Sequence, residues 1–360
     1  MTIEKRGMAA RSAIDVYRGF SRKKFLLVTA IFLGTLVLAA VAVTLGSAGL
    51  SLGDVIRALV GRAEEPIYRI VLHIRLPRVA AALLAGMGLA VVGCVMQNLL
   101  VNPLASDYTL GISQGAAFGA AVAIVFLGAG STQSTTLDAV WVRNPYVVTI
   151  FAFLGAILTT VVVLGMAGLR KMAPEALVLA GIAMGALFSA GTVIVQYFAS
   201  DVQVASVVFW TFGDLGRVTW VELAIMAAVI LPVTAFFVLK RWDLNALAAG
   251  DETAKSLGVR VERLRPAGMF LASTAAAVCV SFLGIIAFVG LVAPHLMRRI
   301  VGSDYRYLLP GSAVAGALLL LASDTMGRTV IAPVVLPVGA ITSFLGAPLF
   351  IYLLLRGYRR

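Results

Sequence analysis

Two residue types that build many catalytic and metal centres are nearly absent: the chain of 360 residues has 2 histidines and 2 cysteines. Cys94 and Cys279 each lie inside an apolar run, with no CxxC pair and no companion histidine, so neither a disulfide framework nor a zinc site is implied. No G-x-x-x-x-G-K-[ST] phosphate loop occurs, which removes the usual route to binding and hydrolysing ATP. HExxH is missing too, and no pair of carboxylates is spaced for acid and base work. Charge is scarce: Asp, Glu, Lys and Arg make up 13% of the chain, against about 25% in a soluble domain. No cofactor and no resident metal are expected.

What the chain has instead is apolar residue, 61% of it hydrophobic, above the roughly 45–50% of soluble domains. That balance defines a polytopic membrane protein. The formal charge of +12 comes from basic residues scattered between apolar runs, not from a patch interleaved with aromatics. A membrane origin accounts for it, and no nucleic acid is expected as a partner. Lys5, Arg6, Arg11, Arg18, Arg22, Lys23 and Lys24 precede an apolar run from Phe25 to about Leu45. That run exceeds the about 7–15 residues of a signal-peptide core and matches the roughly 20 needed to cross a bilayer, so it reads as an uncleaved first span. Residues 1–24 then form a basic cytoplasmic tail, and residues 25–360 a transmembrane domain.

Further apolar runs begin near Leu76, Thr109, Tyr146, Glu175, Thr219, Ala267 and Pro310, and a last one extends from Leu336 to Leu355. A shorter piece from Phe288 to Val301 is too polar at its end to assign by hydropathy. The positive-inside rule decides it. With ten crossings and both termini in the cytoplasm, most basic residues fall inside, whereas nine would put Arg298 onward on the wrong side. The expected architecture is all-α with ten transmembrane helices. Small-residue runs such as GISQGAAFGAAVAI let helix backbones approach closely where lipid offers no hydrophobic gain.

Four polar stretches stand out. In HIRLPRVAAALLAG, Arg75 and Arg78 stand three residues apart at the outer end of the second span. Two readings fit: snorkelling to the interface, or a docking point where both guanidinium forks share one helix face and receive carboxylates. Arg328, at the outer end of the ninth span after Asp324, is placed to join them. The loop at about 240–266 is the longest on the cytoplasmic side. Its Leu244, Leu247 and Ala248 lead to Gly250, and its Asp251, Glu252, Ala254 and Leu257 lead to Gly258, which gives two short helices closed by glycines. A plain return needs about five residues, so this loop either contacts a partner or is an enlarged surface loop. Pro103 restricts Asn102 to extended backbone and puts Asn102 and Leu104 in a tight cytoplasmic turn, which the residues alone define as a turn and nothing more. His295 has no acidic partner at helical spacing and reads as a hydrogen-bonding residue, not a proton relay. Carboxylates of the kind a proton-coupled transporter needs are sparse, Glu222 and Asp324 being the main candidates.

The segments RLPRVAAALLAG, GCVMQNLLVNPLASDYTLGISQGAAFGA, GDETAKSLGV, FVGLVAPHLMRRIVGSDYR and LPVGAITSFLGAPLFIYLLLR, in this order, closely resemble the FecCD or BtuC-like permeases of ATP-binding-cassette importers. The match runs from about Phe25 to the C-terminus. The resemblance implies a ten-helix permease in the cytoplasmic membrane, paired with a second and usually identical permease subunit. It also implies two ATP-binding subunits below and an extracytoplasmic substrate-binding protein above. By the same resemblance, Arg75, Arg78 and Arg328 receive glutamates of the binding protein, and Gly250, Asp251, Glu252, Ala254, Leu257 and Gly258 seat in a cleft of the ATPase. Asn102 and Leu104, with Met172 as companion, form the cytoplasmic gate. Val207 to Gly216 resembles the short helix beside the pore, with Phe212 and Asp214 in place of the more usual small residues. The implied function is passage of a metal chelate, iron(III)-siderophore first and otherwise haem or cobalamin, by alternating access driven by ATP hydrolysed on another subunit. The chain itself is then not an enzyme. The competing class is a secondary transporter driven by an ion gradient.

Overall fold

The computed structural model describes residues 3–46, 49–128, 145–169 and 174–357. Among the described residues there is no strand. In chain order the helices are α1 (Ile3–Thr44), α2 (Leu52–Leu59), α3 (Glu65–Arg69), α4 (Leu76–Leu99), α5 (Ile112–Phe126), α6 (Pro145–Leu169), α7 (Pro174–Tyr197), α8 (Asp201–Thr211), α9 (Trp220–Leu239), α10 (Arg241–Ala248), α11 (Asp251–Ser256), α12 (Val261–Leu283), α13 (Val289–Val301), α14 (Tyr305–Thr329) and α15 (Val338–Gly357). A π-helical stretch, Ile70–Arg75, joins α3 to α4, so the chain is helical from Glu65 to Leu99.

The ten expected crossings appear in order as α1, α4, α5, α6, α7, α9, α12, α13, α14 and α15. Seven of them are long and apolar enough to cross a bilayer, while α5 and α15 are shorter apolar helices. The polar-ended tenth piece is the 13-residue α13, which finishes on Arg298, Arg299, Ile300 and Val301. Starts differ from the hydropathy runs for local reasons. Gly111 takes φ +75, so α5 begins at Ile112 and not near Thr109. Helices α12 and α14 begin at Val261 and Tyr305, upstream of Ala267 and Pro310, because their first turns are helical but polar. Asp304 caps α14 by accepting the Arg306 backbone N–H.

Helix α4 is the axis of the bundle, with α14, α12, α13 and α9 against it, α1 outside α14, and α5, α6 and α7 forming a second group joined through α12. The span ending in α4 is 83% buried and that of α1 only 17%, which separates core from periphery. A helix apolar on all sides belongs inside, and α4 does. The outward face of α1 presents Phe25, Leu26, Leu33 and Val37, the apolar exterior that lipid covers. Two glycine pairs permit the closest crossings. A Cβ on Gly93 would collide with the Gly290 carbonyl of α13, and one on Gly86 with the Gly316 carbonyl of α14. At 1.5 Å per residue α4 is about 36 Å long, so its two ends are separate sites.

Candidate functional site

At the N-terminal end of α4 three arginines converge. Arg75 closes the π stretch, and its Nη1 donates to the carbonyls of Val43 at 2.9 Å and Thr44 at 2.7 Å. Arg328 donates from Nη1 to Leu45 O at 2.9 Å and from Nη2 to Ala42 O at 3.3 Å. Ala42, Val43 and Thr44 supply the last carbonyls of α1, which lack intrahelical partners and carry the negative end of the helix dipole, and Leu45 follows directly. Asp324, with a fully buried side chain, accepts Arg78 Nε on one oxygen at 2.8 Å and Arg328 Nε on the other at 2.9 Å. Arg78 Nη2 also lies 3.4 Å from Asp214, which precedes a 3-10 turn, Leu215–Arg217. The sequence reading brought Arg75, Arg78 and Arg328 to one place, and the structure does the same. It also turns them inward: Arg75 is 5% and Arg328 8% exposed, with protein partners where snorkelling would put water. A charge is tolerated at such depth only when its desolvation is compensated: Arg78 and Arg328 are paired with Asp324, and Arg75 donates to two backbone carbonyls.

The other end of α4 carries the 240–266 loop. Helices α10 and α11 form as the glycines suggested, Gly250 taking φ +110 and Gly258 φ +84, values that side chains resist. Leu244, Leu247 and Ala254 on these helices are buried, whereas Leu257, which caps the end of α11, is 68% exposed. Asn98 Nδ2 donates to Leu244 O at 2.9 Å, and Arg265 Nε to Leu99 O at 2.8 Å. The turn that follows is ordered by its own side chain, since Asn102 Oδ1 accepts the Leu104 N–H at 2.9 Å. Leu104 is exposed, and His295 Nε2 bonds Pro103 O at 2.8 Å, the hydrogen-bonding role expected of that histidine. Met172 lies outside the described residues. Nearby, Asp304 accepts Asn245 Nδ2 at 2.9 Å and a fork from Arg306, which also stacks over Trp242 at 4.9 Å. Burial alone would raise the Asp304 pKa, but the bonds from Arg306 and Asn245 outweigh it and hold the carboxyl at about 2.

Several groups escaped the sequence reading. Asp107 is buried and accepts Ser113 Oγ at 2.9 Å. Arg298 Nη1 donates to Gln97 Oε1 at 2.6 Å, and Gln97 in turn to Gly290 O at 3.2 Å. Gly111 to Gly115 spell GISQG, a G-x-S-x-G match, yet Ser113 is fully buried inside α5 with no strand before it, so no nucleophile elbow forms. The segment compared with a short pore helix is α8, Asp201–Thr211, followed by Gly213 at φ +71 and not by continuous helix to Gly216.

A multi-pass helical bundle with a short ordered turn and a two-helix loop packed at one end is a build that transport permeases share. Residues 32–356 match the model of the FecCD transport family, and the chain belongs to that family. A Methanocaldococcus jannaschii protein bearing the name of an ABC transporter permease is 54% identical, over 96% of this chain and 98% of its own. The hemin transport permease HmuU of Yersinia pestis is 38% identical over 91% and 96%, and the Fe(3+)-citrate import permease YfmE of Bacillus subtilis 36% over 89% and 91%. Among solved structures, an inward-facing transporter described as metal-chelate type superposes with a TM-score of 0.79 at 28% identity, covering 92% of this chain and 99% of that one.

Proposed function

We propose that the chain is the membrane permease of an importer for a metal chelate, an iron(III)-siderophore first and haem or cobalamin otherwise. Permeases for hemin and Fe(3+)-citrate at 36–38% identity support that substrate class. The chain pairs with a second permease subunit, which supplies the other wall of the pathway, and both termini face the cytoplasm. The observation that carries the reading is the 240–266 loop: two helices closed by positive-φ glycines present Leu257, which is 68% exposed among the described residues. An exposed leucine at the end of a short surface helix fits a cleft on an ATP-binding subunit, where burying it contributes roughly 1.5–3 kcal/mol. ATP binding there would move α11 and, through it, the turn at Asn102 and Leu104.

At the other end Arg75, Arg78 and Arg328 form the dock for glutamates of the substrate-binding protein. Arg78 and Arg328 share buried Asp324, Arg78 also reaches the half-exposed Asp214, and such a cluster of guanidiniums would steer an acidic lobe. In proteoliposomes holding permease and ATP-binding subunit, adding the binding protein is expected to stimulate ATP hydrolysis, and exchanging Arg75 and Arg78 together for glutamate to remove that stimulation. Full stimulation in the double variant counts against the dock. An ion-driven transporter is the second reading, and buried Asp107 is the one observation in its favour.

A further inference from the structure

Arg265 is a charge kept inside the loop end of the bundle, its side chain 6% exposed, on the first turns of α12. It uses its whole guanidinium. Nη1 and Nη2 donate to the two oxygens of Asp251 at 3.0 and 2.9 Å, a planar fork onto the first residue of α11. Nε donates to the carbonyl of Leu99, the last residue of α4, at 2.8 Å. That carbonyl lacks an intrahelical partner, and the chain passes from it directly into the turn holding Asn102 and Leu104.

We infer that Arg265 is a positioning residue that transmits displacement of α11 to the 98–104 turn, a strut between the ATPase-facing loop and the gate. The inference rests on the permease reading above and adds to it the physical connection between its two working parts. A bidentate fork resists rotation as well as translation, so α11 cannot tilt without carrying the Arg265 plane and, with it, the bond to Leu99. Lysine, a point charge without a fork, cannot hold Asp251 and Leu99 together in fixed orientation. The Asn98 bond to Leu244 O forms a parallel tie from α10 to the same helix end. From the opposite side α13 holds the turn through His295 on Pro103 O and Arg298 on Gln97. The turn is therefore gripped between α11 and α13, and relative motion of those two helices must shear it. Lys255 also reaches Glu252 and Glu262, at 3.6 and 3.3 Å, but those carboxylates are 92% and 71% exposed and too solvated to act as a link.

The test uses the complete complex of permease, ATP-binding subunit and binding protein in proteoliposomes, with radio-iron-labelled ferric siderophore, haem and cyanocobalamin as probes. ATP hydrolysed and probe imported are measured together. For Arg265→Gln, the ATP-binding subunit is expected to co-purify as in the parent and hydrolysis to persist, while probe imported per ATP falls about tenfold, the scale of one lost charge-assisted bond. Arg265→Lys, which keeps the charge and loses the fork, falls between the two and decides the matter if the glutamine variant fails to fold. Asn98→Ala, which cuts the parallel tie, lowers import per ATP further when combined with either. Unchanged import per ATP in both Arg265 variants overturns the strut. So does a loss of import and hydrolysis in equal proportion, which marks a structural role only. If the parent chain binds no ATP-binding subunit at all, it is the permease reading that fails.

Discussion

The two ends of α4 both gather arginines, and they use them in opposite ways. At the N-terminal end the guanidiniums point inward, clasped to the carbonyls that end α1 and to buried Asp324, so three separate helices are fixed to one another. At the C-terminal end a buried arginine reaches outward to a short surface helix, capped at its end by the exposed Leu257. An arriving carboxylate at the first end must compete with bonds already made, whereas an arriving apolar cleft at the second breaks nothing. The lesson is that one residue type anchors or levers according to whether rigid helices or a glycine-hinged loop stand behind it.

That contrast is broken most severely by Asp324→Ala. Two guanidiniums then lose their shared carboxylate in a dry site, and unfolding in detergent is expected to cost about 3–5 kcal/mol less than in the parent. A loss under about 1 kcal/mol would mean that water already screens the cluster. Leu257→Asp is the mirror case. Thermal unfolding should stay within about 0.5 kcal/mol of the parent, while affinity for the ATP-binding subunit in a pull-down titration drops roughly ten- to hundredfold. Asp304→Asn is smaller, about 1 kcal/mol because its partners are partly solvated. Its folded pKa lies near 2, below the ordinary carboxylate value, so its stabilisation is present above about pH 4 and lost as pH falls toward 2. The variant should therefore show a flatter stability curve over that acid range, and an unchanged curve would assign the acid response to other groups. Arg57→Gln, which removes an exposed pair with Asp54, is expected to leave the melting temperature where it was.

Much of this arrangement was legible from local pattern. Gly250 and Gly258 read as helix stops because only backbone freedom explains glycine there, and their φ values agree. The polar-ended piece ending in Arg298 and Arg299 is a helix, α13, as the ten-helix reading expected, although hydropathy alone did not assign it. The partners of the arginines were not legible. Arg75 meets Val43 across 32 residues and Arg78 meets Asp324 across 246, pairings that periodicity along one helix cannot reveal. Arg265 lies within the loop that was read, yet only the fold of α10 and α11 brings Asp251 and Leu99 to the same guanidinium. Asp107 escaped because the turn that buries it follows a proline and precedes a positive-φ glycine, a geometry with no repeat to detect.

The most direct test of the permease as a passive conduit is solute accumulation by the purified chain alone in liposomes. With radio-iron-labelled siderophore outside and a proton or sodium gradient imposed, no accumulation is expected until the ATP-binding subunit, the binding protein and ATP are all supplied. Gradient-driven accumulation by the chain by itself would contradict that conclusion.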